Sequence, residues 1–258
     1  MPDLFLQLQG DEDEREPVEP LGLSEADALA VLAEADFAAS KLIPWGSNYT
    51  FAVALICPDG REQLAIYKPS AGEAPLYDFP DGTLYRRELA AFLVSQSIGW
   101  DLVPATVVRD GPNGIGSVQL YIEPLEDRGD DRQFWGSCEL DVERLVLFDH
   151  VINNADRKIG HCLRDRQGKV WGIDHGLTFN RYPKLRTVLW QHVGAPIAPQ
   201  LRDDLRRFRT RSSEIGVALG PWLADREIDA LFARVERLVE RGSYPPLNPR
   251  RNVPYGWW

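Results

Sequence analysis

Asp149-His150-Val151-Ile152-Asn153-Asn154-Ala155-Asp156-Arg157-Lys158, followed after a short hairpin pattern by Gly172-Ile173-Asp174-His175-Gly176-Leu177-Thr178-Phe179, decides how this chain is read. Just upstream, Val142, Leu145, Val146, Phe148, Asp149 and Ile152 share one broad face of a helix that starts near Cys138. The helix runs straight into the Asn-rich loop that carries Asp156. Cys162 to Arg164 and Lys169 to Ile173, around Asp165-Arg166-Gln167-Gly168, read as a small hairpin with Asp174 at its exit. Loops on a rigid scaffold often hold catalytic groups, and an Asp in such a place can equally close a turn.

Outward from this stretch the chain divides in two. After it, Ile228, Leu231, Phe232, Val235, Leu238 and Val239 follow a helical period, and a Pro/aromatic tail over 246–258 ends in Trp257-Trp258. Before it, Phe37 to Ile43, Phe51 to Cys57 and Gln63 to Lys68 are β-rich runs separated by turn residues, which predicts an antiparallel meander. Thr83 is expected to cap a helix with Leu84, Leu89, Phe92 and Leu93 on its apolar face, ending at Gly99. Val103 to Arg109 and Ser117 to Glu123 then read as a hairpin. Ser24 and Asp27 start a short helix to about Glu34. The expected fold class is α+β: an acidic lead-in over 1–22, a half over 23–125 with a five-stranded antiparallel sheet and one helix, and a mainly helical half over 126–245.

With 44% hydrophobic and 26% charged residues the composition is that of a folded globular chain. Lys and Arg number 29 against 39 Asp and Glu, a net charge of −10, which argues against general binding to nucleic acid or anionic membranes. The charge is uneven. Residues 1–35 carry ten acids and one base, whereas Asn180 to Arg211 carries eight bases and two acids, a local +6 on which an anion could dock or which could form a solvated arginine-rich helix. Cys57, Cys138 and Cys162 lie at wide spacings that fit neither a disulfide framework nor a metal knuckle, so reduced thiols and a cytoplasmic location are expected. No export signal or membrane-spanning apolar run is read, and the predominance of arginine over lysine hints at a bacterial source.

The chemistry lies in the order of the charged residues. Lys68 ends an apolar strand, where an unpaired ammonium would be costly to bury; it either snorkels to water or meets a partner. It is one of only five lysines beside 24 arginines, which favours a specific use. Glu88 lies within the following helix. A strand lysine, a helical glutamate, a loop Asp and a second Asp after a hairpin are the parts that phosphoryl transfer requires, and the two-lobed protein-kinase-like design supplies them.

Four segments carry a resemblance: Tyr67-Lys68-Pro69 with Gly72-Glu73-Ala74-Pro75, Arg87-Glu88-Leu89-Ala90-Ala91-Phe92-Leu93 leading to Val103-Pro104-Ala105-Thr106, Asn154-Ala155-Asp156-Arg157, and Ile173-Asp174-His175-Gly176-Leu177-Thr178-Phe179. In this order they resemble the phosphatidylinositol 3-/4-kinase superfamily, most closely its type II phosphatidylinositol 4-kinase-like branch and bacterial relatives. The resemblance implies ATP and Mg2+, or Mn2+, as cofactors. It implies Lys68 on the nucleotide phosphates, Glu88 as its helix partner, Asp156 as catalytic base with Arg157 beside it, and Asp174 on the metal. It further implies Gly46-Ser47-Asn48 as the phosphate loop and Glu123-Pro124-Leu125 as the hinge beside adenine. Such relatives usually carry a metal-binding Asn five residues after the catalytic Asp; here His161 stands there and either takes the second cation or acts as a spacer. The expected partners are ATP and a hydroxyl acceptor, lipid, protein or small molecule, with an acidic or phosphorylated acceptor among the candidates, and no nucleic acid and no integral membrane association. Two other readings stay open. One is a nucleotide-binding scaffold with little or no turnover; the other is a metal-dependent hydrolase using His161, Asp174 and His175.

Overall fold

Strictly alternating or wholly apolar runs in the first half pair into one sheet. The computed structural model describes residues 22–44, 48–125 and 139–255. The acidic lead-in as far as Leu21, Gly46, Ser47, Cys138 and the terminal Trp257-Trp258 fall outside these residues.

The Ser24 side chain accepts the Asp27 amide and caps helix α1 (Glu25–Glu34), as the S-x-x-D pattern predicts. Strands β1 (Asp36–Leu42), β2 (Phe51–Ile56), β3 (Glu62–Pro69), β4 (Thr106–Gly111) and β5 (Gly114–Leu120) form an antiparallel sheet in the order β1-β2-β3-β5-β4. β1 alternates between exposed and half-buried residues, as an edge strand does, while β2 and β3 are buried along most of their length. Ala52, Ala54, Leu64 and Tyr121 form one buried cluster on the sheet. The Arg109 guanidinium donates to Leu32 O and Ala35 O, tying the end of α1 to β4.

Both strands of the β4–β5 hairpin lie nearer the turn than the sequence suggests. Gly111 pairs with Gly114, leaving Pro112-Asn113 as the loop. Gly116 lies inside β5, ahead of the expected start at Ser117, and must be glycine there, because a Cβ would stand 2.4 Å from Lys68 O on the neighbouring strand.

Helix α2 (Leu84–Ile98) forms where its apolar period predicts, with a different cap. The Thr83 hydroxyl donates to Pro80 O, and the Leu84 and Tyr85 amides donate instead to the two carboxylate oxygens of Glu73, at 3.0 and 2.8 Å. A carboxylate satisfies the orphan amides and complements the helix dipole, which a hydroxyl cannot do as well.

The rest is mainly helical: α3 (Glu139–Ile152), the hairpin β6 (Cys162–Arg164) and β7 (Val170–Gly172), α4 (Pro199–Thr210), α5 (Ser212–Leu219) and α6 (Asp225–Arg241). The arginine-rich stretch thus contributes one helix, and α5 follows from Ser212. Leu201, Leu205 and Phe208 of α4 are buried, and Phe208 stacks on Phe232 of α6. Gly242, at φ 65°, ends α6.

The chain forms two compact units. One comprises the residues to Leu89 with Pro104–Glu123; the other comprises Ala90–Val103 and Pro124 onward. Residues 90–103, expected within the strand-rich half, therefore belong to the helical unit. Among the described residues no helix is long and apolar enough to cross a membrane.

Candidate active site

In the first unit, pleat alternation buries Tyr67 and turns Lys68 to the opposite face of β3. There the Lys68 ammonium meets Glu88 Oε1 of α2 at 2.5 Å; the lysine side chain is 21% exposed and the glutamate 3%. An ion pair satisfies the charge that a buried strand end could not otherwise carry. Arg87, next to Glu88 and equally buried, lies over the Phe79 ring.

Asn48 does structural work: its Oδ1 accepts the Ala74 amide at 2.8 Å, and the Tyr49 amide donates to Gly72 O. Gly72 is required for that approach, since a Cβ would lie 2.6 Å from Tyr49 Cβ. The segment leaving β3 is thus pinned at Asn48 on one side, and through Glu73 it caps the helix that carries Glu88. Glu123 closes the first unit and Leu125 lies in the second, where its amide donates to Arg164 O at 2.8 Å.

In the second unit the organising group is Arg157, 0% exposed. Its Nε and Nη2 donate to the Asp149 carboxylate at 2.8 and 2.9 Å, Nη1 donates to His161 O and Ile173 O, and Nη2 also donates to His175 Nε2 at 2.9 Å. All five N–H donors of the guanidinium are engaged. Burial works against its charge, yet the Asp149 carboxylate more than offsets this and raises its pKa. Arg157 was expected in the catalytic set; enclosed in this way it holds the site and cannot touch a substrate, which corrects that expectation. What it holds is informative. Asp156 precedes it in the chain, and Asp174 lies between Ile173 and His175, both of which it binds. Gly172 leaves the necessary space, because a Cβ there would be 3.2 Å from Arg157 Nη2.

Asp174 and Asn153 both adopt left-handed backbone, φ 60° and 56°, uncommon for residues other than glycine and enriched at functional sites. Asn153 is held by its side chain, which donates to Asn180 O and Tyr182 O and accepts the Lys184 amide. Asn154 Nδ2 donates to Asp149, and its Oδ1 accepts the Asp156 amide. The Asp156 carboxyl pairs with Lys158 at 2.9 Å. Burial raises its pKa above the ordinary carboxylate range, against the lowering effect of Lys158.

His161 joins the two acids: Nδ1 lies 3.0 Å from Asp156 O and Nε2 3.2 Å from Asp174 Oδ2. With the Nδ1 proton given to the carbonyl, Nε2 presents a lone pair to the carboxylate unless the ring is protonated. The pair is therefore either an imidazolium–carboxylate ion pair or a two-donor seat for a divalent cation. The second fits, since neighbouring ligands about 2.1 Å from one octahedral ion stand about 3 Å apart. His175 turns the other way, onto Arg157, and is fully buried. Among the described residues no group of three or more His, Cys, Asp or Glu side chains converges as a metal site, which removes the ligand set of the hydrolase reading.

Sequence reading missed Asp149 and His175 as part of this assembly. The signal for Asp149 was its place on an otherwise apolar helix face. His175 left none.

Several solved structures share this architecture. A structure of hydra Fam20 with sugar aligns with TM-score 0.58 over 93% of this chain and 94% of that one, at 15% identity. A Golgi casein kinase aligns with TM-score 0.55 over 87% and 79%, at 13% identity. The Helicobacter pylori proinflammatory kinase CtkA aligns with TM-score 0.52 over 82% and 94%, at 12% identity. At such identities the likeness shows the fold, a two-lobed α+β fold of the atypical kinase type. No family model matches the sequence. The chain belongs to the same family as Protein Rv2133c of Mycobacterium tuberculosis strain ATCC 25618 / H37Rv, to which it is 36% identical over 270 residues, 89% of this chain and 95% of that protein.

Proposed function

We propose that this protein is an ATP- and divalent-cation-dependent phosphotransferase acting on a hydroxyl group of a lipid, protein or small-molecule acceptor. The observation that carries the reading is the Lys68–Glu88 ion pair between β3 and α2, the arrangement protein kinases need before they can transfer phosphate. In this reading Lys68 neutralises nucleotide phosphates and Glu88 fixes its direction. Asn48 lies over the phosphates, and Glu123 and Leu125 border the adenine; Gly46 and Ser47, which the sequence assigns to the same role, lie outside the described residues. Asp156 accepts the hydroxyl proton, a role suited by a loop carboxyl whose pKa burial raises. Arg157 acts as a positioning residue.

Asp174 and His161 are the residues that would hold the cation, which when bound lowers the cost of bringing charge onto the phosphates. An imidazole donor suits manganese better than magnesium, and one structure of the Golgi casein kinase holds Mn and ADP. The motif order resembles the phosphatidylinositol 3-/4-kinase branch, whereas the kinases aligned above are of other kinds, so the acceptor is proposed only as a hydroxyl. The imidazole in place of an oxygen ligand also favours a second reading, a nucleotide-binding protein of low turnover.

Thermal unfolding with and without ATP, in magnesium or manganese, tests both. A metal-dependent ATP shift lost in Lys68→Ala is expected, with Asp156→Asn keeping the shift and abolishing transfer of labelled phosphate. No shift in any condition overturns the kinase reading, and a shift without ATP consumption supports the scaffold.

A further inference from the structure

The sequence reads 246–258 as a tail, but its described part is built into the second unit. Asn248 and Asn252 close a turn on each other: the Asn248 amide donates to Asn252 Oδ1 at 2.8 Å, and the Arg251 and Asn252 amides return to Asn248 O. From this turn Asn252 reaches an extended stretch, Leu185 to Val188. Its Nδ2 donates to Leu185 O at 2.6 Å, and its carbonyl accepts the Thr187 amide at 3.0 Å. The Arg186 guanidinium lies 4.8 Å over the Tyr255 ring.

The other edge of the same stretch faces the Asp156 loop. The Arg186 amide donates to Asn154 O, the Arg157 amide to Arg186 O, and the Val188 amide to Arg157 O, at 2.9 to 3.1 Å. Residues 185 and 187 thus bond on one side and 186 and 188 on the other, the alternation of a strand held between two neighbours. Leu185 and Thr187 are buried, so the backbone groups that Asn252 satisfies have no ready substitute in water.

We propose that Asn252, with the turn that carries it, is a positioning residue for Asp156, acting through Leu185–Val188; the proposal rests on reading Asp156 as the proton acceptor. Without the Asn252 side chain Leu185 O loses its donor and the turn that holds the residue-252 carbonyl on the Thr187 amide loses its Oδ1 bond, so the three hydrogen bonds that fix Asn154 and Arg157 open more often. The second unit then reaches its working geometry less often, with nothing altered at Lys68.

Two variants of the full chain test this. Asn252→Ala removes both side-chain bonds. Asn252→Asp keeps the Oδ1 acceptor of the turn and faces Leu185 O with a carboxylate, so it separates loss of the strap from loss of the turn. Hydrogen exchange at the Arg157, Arg186 and Val188 amides is expected to quicken roughly tenfold in both variants. Turnover of ATP is expected to fall roughly tenfold, with the KM for ATP held within about twofold. Unchanged exchange at those amides, unchanged turnover, or a KM that rises as far as turnover falls would overturn the proposal. If the wild type consumes no ATP, the kinase reading fails by itself, and the exchange measurement still decides whether Asn252 holds the loop.

Discussion

Lys68 with Glu88 and Asp156 with Asp174 are held by opposite means. The first pair stands on a strand and a helix whose periodicity alone places them. The second stands on irregular backbone, two residues of which take left-handed conformations, and is fixed by one enclosed guanidinium and its carboxylate. Regular elements spread their stability over many contacts, whereas a loop built around a buried charge depends on that charge. Removing one partner of such a pair should therefore do more damage than disturbing the strand. Asp149→Ala should destabilise the protein by about 3–5 kcal/mol, because it leaves the Arg157 guanidinium buried and uncompensated. Urea unfolding measures this. A loss of the same size in Lys68→Ala, whose site is partly open to water, would erase the contrast. Replacing both partners, Asp149→Leu with Arg157→Met, should recover only part of that loss, because the His161 and Ile173 carbonyls and Asn154 Nδ2 are then left without their partners, and should leave none of the proposed phosphoryl transfer.

The second region should also be the one that senses acid. His150, at the end of α3 and packed on Tyr244, is buried, which pushes its pKa down from 6.5 to about 4 despite neighbouring Asp149. The unfolded chain takes up this proton as pH falls below about 6.5 and the folded chain does not until about 4. The stabilisation is therefore complete above pH 6.5 and is lost between 6.5 and 4, by about 3 kcal/mol at most. Thermal midpoints of the wild type should fall across this window, and His150→Phe should flatten that part of the curve. An unchanged slope in the variant would remove His150 as the cause.

The first region has a smaller weak point in Glu73. Removing the carboxylate that accepts the Leu84 and Tyr85 amides in Glu73→Ala should destabilise by about 1 kcal/mol. By loosening the start of the helix that carries Glu88, it should also reduce the ATP-dependent thermal shift. A full shift in this variant would show that Glu88 is placed by the helix packing alone.

What the sequence makes legible follows the same division. The five strands, α2, α3, the small hairpin and α6 are readable because alternation and helical spacing are properties of neighbours in the chain. Lys68 and Glu88 are readable from those elements. Asp156, Asp174 and His161 are readable from motif order, although their meeting through His161 needs the fold. Glu73 in place of Thr83 was hidden because the carboxylate arrives from eleven residues away. The shift of the β4–β5 hairpin was hidden because Gly114 and Gly116 carry no β-forming side chain, and the close approach to β3 that Gly116 serves is not visible locally. Asn252 was hidden most deeply, because nothing local distinguishes an Asn that closes a turn from one that also bonds Leu185.

The smallest effect concerns the arginines that the sequence offers as an anion-docking surface. On α4, Arg206 pairs with Asp203 at 2.5 Å, Arg207 pairs with Asp204, and Arg209 reaches Glu236 of α6 at 3.3 Å, while Arg211 pairs with Glu214 of α5 at 2.7 Å. Arg202 donates to Val239 O at the end of α6. Acids close in sequence or on the next helix thus account for much of the local positive charge, and these are exposed pairs of the kind that contributes little to stability. Arg206→Ala should change stability by less than about 0.5 kcal/mol and leave the ATP-dependent shift intact. The decisive arm is kinetic: the variant should also transfer phosphate at the wild-type rate to whichever hydroxyl acceptor the protein accepts. A selective loss with an acidic acceptor, growing weaker as salt is raised, would instead show that the α4 pairs open to receive substrate.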